Sequence, residues 1–276
     1  MTWSHADRPQ RTIRTASGRE LTLHVATDAL DTGPVAAPFV ADALGPQARP
    51  WETPDEGRSP VLAVQASDSL VSTYDEIIGY FLEGWLSLER INVCGLCELV
   101  TLGGDDEGSC RHRLDWGLFF PTDVSRERVL SFDGRAGDPA AEAAACEARV
   151  RDAGGVDLLL LCAEADGRVG LGEPGGAGPD ATRVVTLSAD LRGRLAAGPG
   201  GDASTAPEAG LTLGLALLRE ARQVVVLACG RAEGAALGRA LTQPADLEAR
   251  PLSFLQDHEG DCVLVVDEDA AGALNG

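Results

Sequence analysis

Cys94, Cys97, Cys110 and His112 are residue types that hold zinc, and Cys94-x-x-Cys97 has the spacing of a zinc pair. On a strand, residues three apart point to opposite faces, so both thiols could chelate one ion only from a turn. The pattern disfavours a metal, and no metal or organic cofactor is expected. His5, His24 and His258 have no catalytic company in the sequence, and no Ser-His-Asp arrangement can be assigned. All 23 basic residues are arginine; the sequence contains no lysine. That excludes a Schiff base, a pyridoxal-phosphate aldimine, a Walker-type phosphate loop and a Ser-Lys dyad. Each needs a titratable amine, and arginine stays protonated.

Composition narrows the class further. The chain has 276 residues, 44% hydrophobic and 24% charged, as expected of a soluble globular protein with a sizeable core. Aromatics make up only 4%, so Val, Leu and Ala must build that core. The formal net charge of −20 repels phosphate backbones and anionic lipid, so neither nucleic acid nor membrane is an expected partner. Seven cysteines are scattered through the chain, several inside apolar runs such as Leu161-Cys162-Ala163. Buried free thiols explain them better than a disulfide framework. With no signal-like segment before Ala6 and no apolar stretch of membrane length, a cytoplasmic location is expected.

The elements that would position any site follow from hydrophobic periodicity. Residues 1–19 are polar and Arg-rich and read as a flexible lead-in; residues 20–276 read as one domain. Strands are expected at Leu21–Ala26, Val61–Gln65, Arg90–Leu96, Val129–Phe132, Asp157–Cys162, Thr182–Leu187, Gln223–Cys229 and Cys262–Val266. Helices are expected at Asp31–Leu44, Ser69–Glu83, Ala140–Ala153, Pro207–Ala221 and Glu233–Leu241. The Gly/Pro-rich runs 172–180 and 197–206 read as loops. Alternating strands and helices imply βαβ crossovers, hence a three-layer α/β/α fold with a mostly parallel, Rossmann-like sheet. In such sheets ligands sit at the carboxyl ends of the strands, which selects the loops after Gln65, Leu96, Cys162, Leu187 and Cys229.

Those loops, read in order, resemble the glucosamine-6-phosphate deaminase and 6-phosphogluconolactonase family. The most specific piece is Ala165-Asp166-Gly167-Arg168-Val169-Gly170-Leu171-Gly172-Glu173-Pro174, similar to the family's Asn-Asp-Gly-His-Ile-Ala-Phe-Asn-Glu-Pro. Support comes from Tyr74–Glu76 with Glu83–Leu86, from Thr186–Arg192, from Leu211–Gly214 with Leu217-Leu218, and from Leu264–Glu268. The resemblance implies the family's fold and a sugar or amino-sugar ligand; a homo-oligomer is compatible with it.

The same resemblance exposes departures. The family's Asp-Glu-Tyr, whose carboxylate moves a proton between sugar C1 and C2, corresponds to Cys97-Glu98-Leu99. Cys97 is readable as a proton shuttle or as apolar filler, and Glu98 as a carboxylate that reaches in if the strand end twists. The family's histidine corresponds to Arg168, which cannot accept a proton; Asp166 and Glu173 keep their places. The phosphate loop corresponds to Ala66-Ser67-Asp68-Ser69, where Asp68 puts negative charge in an anion cradle or serves as a helix cap. A phosphate-binding lysine corresponds to Glu233, while Arg192 keeps its place and Arg231 and Arg194 are further cations. Two readings follow. The first is a divergent enzyme that isomerises, deaminates or otherwise moves a proton on a sugar, amino sugar or aminocyclitol. Its acid–base groups would be Asp166, Glu173 and Glu98 or Cys97, with Arg168 and Arg192 holding an anionic or hydroxylated ligand. The second is an inactive sugar-binding or scaffold protein.

Overall fold

The computed structural model describes residues 10–50, 57–196 and 206–274. Its main sheet has seven strands: β1 (Gln10–Arg14), β2 (Glu20–Ala26), β3 (Val61–Val64), β4 (Asn92–Gly95), β6 (Leu158–Cys162), β9 (Gln223–Ala228) and β10 (Asp261–Asp267). They lie in the order β1-β2-β10-β9-β6-β3-β4, parallel throughout except for the antiparallel pair β1–β2. A second sheet, β5 (Cys97–Leu99), β7 (Arg183–Thr186) and β8 (Ala209–Thr212), is antiparallel in the order β5-β8-β7.

The central strands are apolar at every position because helices cover both faces. Along β6, Leu158, Leu160 and Cys162 pack with α1 (Thr32–Leu44) and α2 (Val71–Leu82). Leu159 and Leu161 point the other way, towards α4 (Pro139–Asp152), α6 (Leu215–Arg219), α7 (Arg231–Thr242) and α8 (Glu268–Ala273). Helix α3 (Cys110–Leu114) runs into a π-helical turn at Asp115–Phe119, and α5 (Ala189–Ala196) follows β7. A small third cluster of Cys97, Leu99, Cys110, Leu171, Leu187 and Leu191 fills the space beneath the second sheet. Gly33 lets α1 meet α2, since a Cβ there would stand 2.3 Å from the carbonyl oxygen of Ser72.

Several sequence expectations need correction. Residues 10–14, read as part of a flexible lead-in, form edge strand β1 against β2, whereas residues 1–9 lie outside the described residues. The segment Val129–Phe132 makes one isolated bridge, Val93 to Val129, and no strand. The ladder stops there because the amide of Gly95 donates to the Ser131 hydroxyl (2.9 Å) instead of a backbone carbonyl. The helix expected over Pro207–Ala221 is strand β8 followed by the short helix α6. Leucines at 211, 215 and 218 have helical spacing, but Gly210 and Gly214 let neighbouring segments approach too closely for a helix to pass. A Cβ on Gly214 would lie 2.1 Å from the carbonyl oxygen of Asp180. The Thr182–Leu187 run is a strand, but it belongs to the second sheet. Part of the glycine-rich 197–206 loop falls outside the described residues.

Candidate functional site

The carboxyl ends of β3 and β6 lie side by side, with Val64 paired to Leu160, so the residues just beyond them meet. Gln65 follows β3 and is 3% exposed. Its amide nitrogen donates to Glu164 Oε1 at 2.8 Å, while its Oε1 is buried with no hydrogen-bond partner. The Cys162 thiol, pushed up by burial first and by Glu164 second, donates to the Ser67 hydroxyl at 3.0 Å. Ser67 is extended, with φ −142°, and its hydroxyl does not cap the turn Asp68–Leu70 that leads into α2. Tyr74, from the first turns of α2, donates to the carbonyl of Gln65 and fixes the end of β3.

Beyond β6 the chain makes a tight turn. Gly167 has φ +79°, and the amide of Arg168 donates back to Asp166 Oδ1 at 3.1 Å. That turn folds the Arg168 guanidinium between two carboxylates, Glu164 (2.9 Å) and Asp166 (3.1 Å). Burial works against its charge, but Glu164 and Asp166 outweigh it and hold Arg168 above its usual pKa. Asp166 also receives Arg194 of α5, which in turn pairs with Asp190 at 2.5 Å. Glu164, Asp166, Arg168, Arg194 and Asp190 thus form one chain of alternating charges.

The other expected site residues are placed as follows. Glu98 is 2% exposed and does not join this network. Its Oε1 accepts the amides of Leu99 (2.7 Å) and Cys110 (3.1 Å); its Oε2 accepts the Ser109 hydroxyl (2.7 Å) and the Arg111 amide (2.8 Å). The carboxylate therefore anchors the start of α3 to β5, and burial pushes its pKa up against the pull of those four donors. Cys97 lies in the third cluster with its sulfur 3.6 Å from that of Cys110. Glu173 turns to Ser188, accepting its amide at 2.9 Å and its hydroxyl at 2.6 Å.

Ala66 is half-buried between two apolar clusters, and Ser69 is half-buried within the Asp68–Leu70 turn. Asp68 is exposed and pairs with Arg113 of α3 at 2.5 Å, so its charge is compensated. Arg192 pairs with Glu208 at 3.5 Å, and its Nε is buried without a partner. Arg231 and Glu233 begin α7, after Gly230 at φ +94°; Arg231 is exposed, and Glu233 folds back over Gly230. Among the described residues no three His, Cys, Asp or Glu side chains are grouped to hold a metal ion. Cys94 belongs to the main core cluster and Cys97 to the small third one, so the Cys-x-x-Cys spacing does not make a ligand pair.

Sequence reasoning missed Glu164, Gln65 and Arg113. Glu164 had a readable signal, being the first charged residue after the apolar run of β6. Gln65 had a weaker one, a polar residue closing a buried strand. Arg113 had none, because its partner Asp68 is 45 residues away.

No family model matches the chain. It is 34% identical over 210 residues to a glucosamine-6-phosphate deaminase of Mycolicibacterium smegmatis, covering 76% of this chain and 80% of that protein. To a glucosamine-6-phosphate deaminase of Beutenbergia cavernae it is 33% identical over 239 residues, covering 87% and 88%. Among solved structures, a monomeric glucosamine-6-phosphate deaminase superposes with a TM-score of 0.80 at 25% identity, covering 91% of this chain and 99% of that one. The 6-phosphogluconolactonase of Trypanosoma cruzi shares the fold, with a TM-score of 0.68 at 16% identity and coverage of 92% and 97%. The chain belongs to the glucosamine-6-phosphate deaminase family, on the α/β fold that the family shares with the 6-phosphogluconolactonases.

Proposed function

We propose that this chain binds an amino sugar or a related polyol at the carboxyl ends of β3 and β6 without running the deaminase proton transfer. The observation that carries this reading is the Arg168 guanidinium held between Glu164 and Asp166. A general acid–base group must be free to gain and lose a proton near neutral pH, and such a group contributes roughly 10²–10⁴-fold to rate. Arg168 cannot take up a proton. Asp166 is engaged by two guanidiniums, Glu98 has four donors, Glu173 is bound to Ser188, and Cys97 faces Cys110. What the site does offer is a dense set of charged hydrogen-bonding groups of both signs, with the buried Gln65 Oε1 and Arg168 Nε still unpartnered. Hydroxyls and an ammonium group suit that array. The pairing of Asp68 with Arg113 and of Arg192 with Glu208 supports a ligand that needs no strong anion grip.

The test combines binding with turnover. Thermal shift with glucosamine, glucosamine 6-phosphate and an aminocyclitol should show stabilisation by an unphosphorylated ligand, and Arg168→Ala should abolish it. Ammonia release from glucosamine 6-phosphate should stay at the no-enzyme background. Steady ammonia production by the unmodified protein would refute the proposal.

A further inference from the structure

Two pairs of cysteines lie together in this chain. Cys97 Sγ and Cys110 Sγ are 3.6 Å apart, and the Cys94 and Cys146 thiols both donate to the carbonyl of Leu130, at 3.9 and 3.3 Å. Their surroundings differ. Cys94 and Cys146 are 0% exposed within the main core, whereas Cys97 and Cys110 keep 8% and 6% exposure in the small third cluster. Cys97 stands on β5 and Cys110 opens α3. Both are free thiols. Glu98 binds the amides of Cys110 and Arg111, so it holds the two segments in register and keeps the sulfurs together. Arg168 stands within electrostatic reach of Cys97. The hydrogen bond with Cys97 first, and burial second, push the Cys110 thiol up.

We propose that Cys97 and Cys110 are a modification site, closing into an intrachain disulfide by exchange with a small-molecule disulfide. A disulfide bond is about 2.05 Å long, so the sulfurs must approach by about 1.5 Å, which side-chain rotation can supply. The Cys97 thiolate attacks one sulfur of the small disulfide, breaking its S–S bond, forming a mixed disulfide and expelling one thiolate. The Cys110 sulfur then attacks the Cys97 sulfur and expels the second. The two protons of the protein thiols end on the two departing thiols. The protein is oxidised by two electrons and the small disulfide is reduced by two. The product would tie β5 to the start of α3.

The experiment uses the whole chain, reduced, freed of reductant, exposed to oxidised glutathione, then denatured in acid and alkylated. Cleavage after arginine yields residues 91–111 as one peptide carrying Cys94, Cys97 and Cys110; further cleavage after Glu98 and Glu107 separates Cys110 from the other two. The expected peptide carries one alkyl group in place of three, is lighter by two hydrogens, and shows a link from Cys97 to Cys110. Cys94→Ser should retain the link. Cys110→Ala should replace it with one glutathione on Cys97, a gain of signal that a folding defect elsewhere would not produce. Three alkylated thiols after oxidant treatment overturn the proposal, as does a link through Cys94 or Cys146. Should the cysteine variants fail to fold, the map of the unmodified chain decides by itself.

Discussion

Replacing Glu98 with alanine would strip four donors of their acceptor: the amides of Leu99, Cys110 and Arg111, and the Ser109 hydroxyl. All four lie where a 2%-exposed side chain now fills the space, so water reaches them poorly. A lost hydrogen bond of this kind costs about 1 kcal/mol, and relief of the carboxylate's own desolvation returns part of that. The balance is a loss of about 3 kcal/mol. That is a large share of the roughly 5–15 kcal/mol that holds a domain folded, but not all of it. At a urea m-value of about 3 kcal/mol/M the unfolding midpoint should fall by about 1 M, with m unchanged. Glu98→Gln keeps the volume and one acceptor oxygen while its amide group confronts the Arg111 N–H, so its loss should be smaller, about 1–2 kcal/mol. Amide exchange at Cys110 and Arg111 should accelerate in both variants. A Glu98→Ala protein within about 0.5 kcal/mol of the parent would refute the reasoning and return Glu98 to the pool of groups free to act on a ligand.

Four further outcomes are expected. Because burial raises the Glu98 pKa above the ordinary glutamate value of about 4.5, the folded chain keeps this proton to higher pH than the unfolded chain does. Its stabilising contribution is therefore full below about 4.5 and lost as pH rises through the folded value. Stability of the parent relative to Glu98→Gln, measured by urea unfolding across pH 4–8, should fall over that window and then level off. Gly33→Ala should destabilise by about 3 kcal/mol and lower Tm by about 6 °C or more, because its Cβ would meet the Ser72 carbonyl at 2.3 Å and force α1 from α2. Arg58→Ala should cost about 2 kcal/mol in urea unfolding. It removes a two-point grip (2.6 and 2.7 Å) on Asp157, a buried carboxylate that keeps the Val61 amide at 2.8 Å. Arg113→Ala should change stability by no more than about 0.5 kcal/mol, since its partner Asp68 has a side chain 95% exposed.

What could be read from the sequence, and what could not, divides by the distance over which each interaction acts along the chain. Strands β3, β6, β9 and β10 were legible because a strand covered on both faces leaves an unbroken apolar run, and each run contains its own evidence. The Asp166–Arg168 contact is likewise local, lying within one glycine turn, whereas the second carboxylate on Arg168 is Glu164. The leucines at 211, 215 and 218 misled because periodicity is blind to what approaches from outside. Gly210 and Gly214 are open to Leu171 and to the Asp180 backbone, and these neighbours decide for β8. The site failed to read out in the same way. Glu98 followed a strand and was free on paper, but its fate was set by Ser109, Cys110 and Arg111 on the next element. Asp166 was expected to serve a ligand, yet Arg194 reaches it from 28 residues away. A residue type states which proton or charge a side chain can carry. Whether that capacity is free for a ligand depends on partners that only the folded chain supplies, and here internal partners occupy each of the sequence's acid–base candidates.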